Sequence, residues 1–457
     1  MSHPTSPSEQ RKPSRHAILY VPGAGQHVFE QSAGLVAERI ARAIERRIGD
    51  RKNCGFRITV SKNLNLLVSN TFDRASIEVR DQELADNDWT SVVDVYELKY
   101  LDTFSGWFSN LPPLRQAVCG CWILLRAVGK FCVGHLHSTF EGPRGADGDG
   151  DDCRSAGNDY LQILLYNLKL IGIFLVAILF WLVLALLAVV GIPTLLGADL
   201  QSLFTGVFHY LGFSEACLNY LRLSGTALIL FVVPTYFAII RNLEALGKLA
   251  AEFFCVMDYA HSHYRYLSVL HAIRDATVLL RVLGAREVDL LTLSLGAILG
   301  YDAWYPRQSA TGRPEIPQRD GARLDHWITL GFPVQMMRWQ YPNYFRSRSD
   351  SHVPVGTHFN IWIKDDPIGS RITGLLGFAD VPSGSLRQWP FEPSSKRYRP
   401  RRGFNWRMNN HCLYWDDRDP GACTCFDSLL KEGWLYDVVR DVKCNKAPAT
   451  DPPGRYY

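Results

Sequence analysis

With 457 residues, 47% of them hydrophobic and 21% charged, the chain carries enough apolar content for a sizeable core, which excludes a largely disordered protein. A net charge of +4 supplies no basic footprint for nucleic acid, so no nucleic-acid partner is expected. Eleven cysteines, an odd number without a regular framework, read as reduced thiols rather than a disulfide scaffold.

Residues 1–15 are polar, basic and rich in Pro and Ser; lacking the apolar stretch of a secretory signal, they read as a disordered tail. The segment HAILYVPGAG (16–25) reads as a buried strand that runs into a glycine turn. The following QSAGLVAERIARAIERRIGD (31–50) has apolar residues at helical spacing with a charged opposite face. FRITV (56–60), ASIEVR (75–80) and SVVDVYELKY (91–100) have strand character. Residues 116–133 are apolar but interrupted by Arg126 and Lys130, the pattern of an amphipathic helix near a membrane surface, with a third span as the alternative.

Residues 138–158 are rich in Gly and Asp and have no period. Asp147, Asp149 and Asp151 hint at a calcium loop, but Asp152 stands where that loop needs Gly and Asn158 where it needs the bidentate Glu. The segment reads as a solvated linker over 138–160. The membrane signal follows. Residues 170–198 hold no charged side chain and are long enough to span hydrocarbon. Residues 223–240, flanked by Arg222 and Arg241, reach about 27 Å as a helix, close to the minimum for a second crossing. Together they predict a transmembrane hairpin over 161–241.

Residues 241–283 have the pattern of a long helix that ends at Gly284. The strands VDLLTLS (288–294), DHWITLGF (325–332) and HFNIWIK (358–364) come next. Strands alternating with helices predict an α/β fold with a mostly parallel sheet, in two parts (16–137 and 242–457) around the hairpin.

The chemistry gathers at strand ends. The apolar run 288–293 stops at Ser294, and Gly296 follows before a helical AILGYD. This is the second half of a G-x-S-x-G elbow, which lifts a serine hydroxyl to the top of a sheet. Thr292 stands where the first Gly is usual, and Leu293 where a His is frequent. Downstream, Asp365 and Asp366 end a strand before Pro367, and His411 lies ahead of an aromatic pair. The chain order Ser, Asp, His is that of α/β-hydrolases, in which the imidazole deprotonates the hydroxyl and the carboxylate orients the imidazole.

The set LYVPGAG (19–25), LSLGAILGYD (293–302), ITLGFP (328–333), NIWIKDDPIG (360–369) and HCLYW (411–415) resembles α/β-hydrolases of the esterase/lipase type, over residues 16–110 and 280–420. The resemblance implies Ser294 as nucleophile, His411 as general base and Asp366 as the acid, with Asp365 as the alternative acid. It also implies an oxyanion hole from backbone N–H groups of Ala24, Gly25 and Leu295. A dinucleotide fingerprint at Gly23 and Gly25 fails because Val28 stands where the third Gly belongs.

The mechanism so implied calls for no cofactor and no metal. Cys412, Cys423, Cys425 and Cys444 lack paired zinc-knuckle spacing, and the basic run 396–402 reads as a solvated loop that could meet anionic headgroups. The oxyanion turn precedes the apolar segments and the triad follows them, so an even number of crossings is required. Lys169 and Arg241 flank the hairpin on the catalytic side, while residues 191–222 carry only Arg222 as a cation. The bias puts the catalytic domain in the cytoplasm. The expected partners are membrane lipids and an acyl-ester or lipid substrate; a thioester, an amide, or a non-catalytic membrane scaffold are the alternatives.

Overall fold

The computed structural model describes residues 16–23, 32–49, 54–67, 70–81, 89–100, 267–307, 323–334, 355–363, 369–372, 386–394 and 422–443. To these are added positions 259, 337, 344, 345, 366, 396, 398, 411 and 413–416, and a few single positions between 111 and 214. The chain divides into two compact units, Met1–Asp102 with Asp258–Tyr457, and Thr103–Met257. The first holds nearly all the described residues.

Its centre is strand β1 (His16–Val21), every residue of which is buried. A strand buried along its whole length and apolar after its first residue is what a parallel sheet covered on both faces requires. From β1 the chain enters helix α1 (Ala33–Ile48). Ser32 caps its first turn by accepting from the Leu35 N–H, and Gly49, at φ 80°, ends it. Val36, Ile40 and Ile44 fall on one face and are fully buried, which is how the period of the sequence becomes packing. Strands β2 (Cys54–Leu67) and β3 (Asn70–Asp81) follow, then β4 (Thr90–Leu98).

The chain rejoins this unit at α2 (Leu267–Val282), which ends at Gly284 with φ 107°. There follow β5 (Glu287–Leu293), α3 (Leu295–Trp304), β6 (Leu324–Leu330), β7 (Val355–Ile363) and β8 (Leu386–Phe391). Helices α4 (Cys425–Lys431) and α5 (Tyr436–Lys443) close the described part. The eight strands form one sheet in the order β2-β3-β4-β1-β5-β6-β7-β8. β3 runs antiparallel to β2 and β4, and all other neighbours are parallel. The architecture is therefore α/β.

Helix α1 lies on the face that carries Ile18, Tyr20, Leu291 and Leu293, in one core with Phe426, Leu429 and Trp434. On the other face α3 sets Gly300 against Leu290, Thr292 and Trp327. The strands that follow β1 return on its β4 side, whereas β5 to β8 run outward from its opposite side. The carboxyl ends of β1 and β5 are thus the point where strand order reverses, the usual place for a ligand crevice in an open α/β sheet.

β8 and the C-terminal helices are not apparent from sequence pattern. β8 is an edge strand of mixed burial that contains Pro390, tolerated there because one edge makes no ladder. The long helix expected over 241–283 is described as a helix only from Leu267 onward. The amphipathic segment 116–133, the linker 138–160 and the hairpin 161–241 lie outside the described residues apart from isolated positions. Among the described residues no helix is long and apolar enough to cross a membrane.

Candidate functional site

Ser294 stands between the last residue of β5 and the first of α3. Its backbone is at φ 50°, ψ −114°, a region a side-chain-bearing residue occupies only when its surroundings hold it there. Two hydrogen bonds do so. The Ser294 N–H donates to the Leu330 carbonyl (2.9 Å), continuing the β5–β6 ladder, and the Ser294 carbonyl accepts from the Ala297 N–H (3.0 Å), opening the helix. The side chain is half-buried.

The neighbours of the elbow are small for a geometric reason. A Cβ on Gly296 would lie 2.1 Å from the Val21 carbonyl oxygen and 2.6 Å from that of Pro22. Only glycine lets α3 begin so close to the end of β1. A Cβ on Gly23 would meet the Ser294 Cβ and the Leu293 carbonyl oxygen, each at 3.0 Å. The turn after β1 therefore rests directly against the elbow.

Thr292, where a smaller residue is usual, is fully buried. Its hydroxyl donates to the Ile328 carbonyl (3.0 Å) and accepts from Trp327 Nε1 (3.3 Å). Its methyl takes the space left by Gly300, on which a Cβ would come within 3.0 Å of Thr292 Cγ2. The larger residue is accommodated by a glycine one turn and a half into the helix.

The second half of the site lies at the ends of β6 and β7. Just past β7, the Asp366 N–H donates to the Ile363 carbonyl (2.8 Å), a tight turn that brings its carboxylate back over the sheet edge. Asp366 Oδ2 is 2.7 Å from His411 Nδ1, and the two side chains are 0% and 11% exposed. The carboxylate fixes the proton on Nδ1 and leaves Nε2 with its lone pair when the ring is neutral. Nε2 is buried without a hydrogen-bond partner among the described residues. Ser294 and His411 are thus not hydrogen-bonded to each other through Nε2. They flank the same strand end. Leu330 accepts from Ser294, and the next residue, Gly331 at φ 62°, is so near the imidazole that a Cβ there would lie 2.8 Å from His411 Cε1.

The His411 loop is anchored by aromatic packing. Trp415 stacks on Phe426 (6.0 Å, 5° between planes) and meets Tyr20 edge-on (6.1 Å), while the Tyr414 carbonyl accepts from the Cys425 N–H (2.8 Å). The Tyr414 hydroxyl donates to Asp366 Oδ2 at 2.6 Å and accepts from the Ile363 N–H at 3.2 Å. Burial, then the adjacent Asp366 charge, push the Tyr414 phenol well above its ordinary range, so it keeps its proton as a donor.

Of the residues singled out in the sequence, the structure brings Asp366 and His411 together and sets Ser294 across Gly331 from them. Leu295 is the buried first residue of α3. Ala24, Gly25, Asp365, Cys412 and Cys444 lie outside the described residues. Cys425 is buried and Cys423 exposed, both free. Among the described residues no cluster of His, Cys, Asp or Glu could hold a metal ion.

A second polar cluster, at the opposite end of the strands, is not apparent from the motifs. His16 puts Nε2 2.7 Å from Asp289 Oδ2 and Nδ1 2.9 Å from Glu287. Asp289 also accepts from Trp434 Nε1 (2.7 Å) and from the His326 backbone (3.1 Å), with His326 Nδ1 at 2.9 Å. Burial alone would lower the His16 pKa, but the charges of and hydrogen bonds to Asp289 and Glu287 outweigh it and raise it to about 10. The signal is a lone Asp in the buried run VDLLTL, on a strand that pairs with His16.

No family model, curated protein or solved structure matches this chain.

Proposed function

We propose that the chain is a membrane-anchored serine hydrolase of the α/β-hydrolase class, cleaving an acyl ester through an acyl-enzyme. The observation that carries the reading is Ser294, held at φ 50° between buried β5 and α3 where strand order reverses. Strained serines at such a strand-to-helix turn serve as exposed nucleophiles. The His411–Asp366 pair at the neighbouring strand ends supports it.

In this reading Ser294 Oγ attacks the acyl carbonyl and passes its proton to His411 Nε2. Asp366 holds the Nδ1 proton and stabilises the imidazolium. The oxyanion is met by the Leu295 N–H and by Ala24 and Gly25 after β1. His411 returns the proton to the departing alkoxide, and a water repeats the sequence on the acyl-enzyme. The same steps serve a thioester or an amide. Residues 170–198 and 223–240 form the membrane hairpin, and the catalytic domain faces the cytoplasm.

The test is hydrolysis of p-nitrophenyl esters of graded acyl length by membranes that contain the protein. Wild type turns over at least one ester, and Ser294→Ala and His411→Ala fall to the level of membranes without the protein. Unchanged turnover in Ser294→Ala contradicts the assignment. Wild-type membranes without activity on any ester favour the scaffold alternative, which the His411 Nε2, without a hydrogen-bond partner among the described residues, supports.

A further inference from the structure

The geometry points to Tyr414 as a positioning residue that sets the orientation of the Asp366 carboxylate, and through it the imidazole of His411. The inference rests on the hydrolase reading of the site. Its basis is that Asp366 Oδ2 takes two hydrogen bonds, from His411 Nδ1 at 2.7 Å and from the Tyr414 hydroxyl at 2.6 Å. Two bonds that converge on one oxygen set the direction in which it offers its lone pairs to the imidazole.

The surroundings are shaped to the hydroxyl as well as to the ring. A Cβ on Gly331 would stand 2.9 Å from the Tyr414 oxygen, and one on Gly369 2.7 Å from it and 2.5 Å from Asp366 Oδ2. Glycines from two separate strand ends thus leave room for one oxygen pair. The Ile363 N–H, at the end of β7, uses the same hydroxyl as its acceptor (3.2 Å). Tyr414 therefore ties the strand end that carries Asp366 to the loop that carries His411, and its ring stands edge-on to the imidazole at 6.0 Å. Its hydroxyl bonds the carboxylate and not the imidazole, so it acts through Asp366 on His411.

Such a group has an electrostatic signature that space-filling lacks. By sharing Oδ2, the hydroxyl tempers the charge Asp366 presents to the imidazole. Among the described residues, the groups that face His411 are Asp366 on the turn after β7, Tyr414 on its own loop and Gly331 after β6. Removing the hydroxyl leaves the carboxylate a stronger partner for the imidazolium and less well aimed.

The experiment measures the rate of fluorophosphonate labelling of the full-length protein in membranes as a function of pH, for wild type, Tyr414→Phe, and the protein carrying 3-fluorotyrosine at position 414. Tyr414→Phe labels about ten- to a hundredfold more slowly, the loss of a hydrogen bond to a charged group, and its acid limb moves to higher pH. The fluorinated side chain keeps the hydroxyl and makes it a stronger donor, so the acid limb moves to lower pH. Labelling of Tyr414→Phe at the wild-type rate with an unmoved acid limb overturns the assignment. Should Tyr414→Phe not fold, an unmoved limb in the fluorinated protein overturns it. Absence of label on wild-type Ser294 is the separate outcome in which the hydrolase reading itself fails and takes this role with it.

Discussion

Replacing Gly296 by Ala tests the elbow with the least chemical change. The added methyl would sit 2.1 Å from the Val21 carbonyl oxygen and 2.6 Å from the Pro22 oxygen, where ordinary contacts begin beyond 3 Å, as for packed carbon atoms. Neither obstacle can rotate away: both are backbone atoms, and Val21 belongs to the central, fully buried β1. Relief requires α3 to move about 1 Å off the sheet. Overpacking of this kind costs about 3 kcal/mol, the upper end of the usual range, which in a unit of this size lowers Tm by about 5 °C. The same shift carries Ser294 with the helix, and a displacement of about 1 Å at a reacting atom costs on the order of a hundredfold in rate. Thermal melting and fluorophosphonate labelling are measured on the same preparation. Gly34→Ala is the control, because its methyl would meet no backbone atom closely, only Val60 Cγ2 at 3.2 Å and Ser32 Oγ at 4.0 Å, and Val60 is 46% exposed; Tm is kept or slightly raised. Gly296→Ala with Tm and labelling rate both at wild-type values would refute the close approach of α3 to β1.

The buried His16–Asp289 pair predicts how stability depends on pH. His16, raised to about 10, contributes fully below its unfolded value near 6.5 and loses its contribution as pH climbs through about 10; Asp289, lowered from 3.8 although burial alone would raise it, contributes above that value and loses it as pH falls. Tm should therefore decline from neutral pH towards pH 10, and a flat profile contradicts the ion pair. Asp289→Asn, which removes the fully buried one of the two carboxylates paired with His16 and leaves it the part-exposed Glu287, should cost about 3 kcal/mol in chemical denaturation, far more than loss of an exposed charge. Asp366→Asn should lower turnover by about three to four orders of magnitude with Tm little changed, because an amide no longer favours the Nδ1–H tautomer; Asp365→Asn should be mild, and the reverse ranking would exchange the two roles. For the hairpin, a cysteine at Gln201 should react with an impermeant maleimide from outside intact cells and one at Ser383 only after lysis; the inverse pattern would invert the orientation.

The parallel strands were legible because each is a short apolar run with a clear stop: HAILYV before a glycine turn, VDLLTL before Ser294, NIWI before the acidic pair. The β8 edge of the sheet was not. β8 buries its side chains only partly, so it lacks the contrast on which period reading depends. Helices α4 and α5 are short, and α4 is announced only by a Thr424–Asp427 capping box.

At the site, the resemblance to α/β-hydrolases pointed to His411 and to Asp366, with Asp365 as the alternative; the contact of Asp366 with His411 joins residues 45 apart along the chain. Thr292 looked like a defect of the elbow when taken alone. Its tolerance depends on Gly300, a residue on the facing helix turn, and sequence reading has no access to that pairing. Tyr414 was visible only as half of an aromatic pair, because its role resides in the hydroxyl and in two distant glycines. His16 and Asp289 escaped notice for the same reason: each looks like a stray polar residue until strand register puts them side by side.

The central claim is that Ser294 is a nucleophile activated by His411. Its most direct test is peptide mapping by mass spectrometry after the full-length protein in membranes has reacted with a fluorophosphonate. The account predicts a phosphonyl adduct on Ser294 alone, formed in wild type and absent or much slower in His411→Ala. An adduct on any other serine with Ser294 unmodified, or equal modification of Ser294 with and without His411, would contradict it.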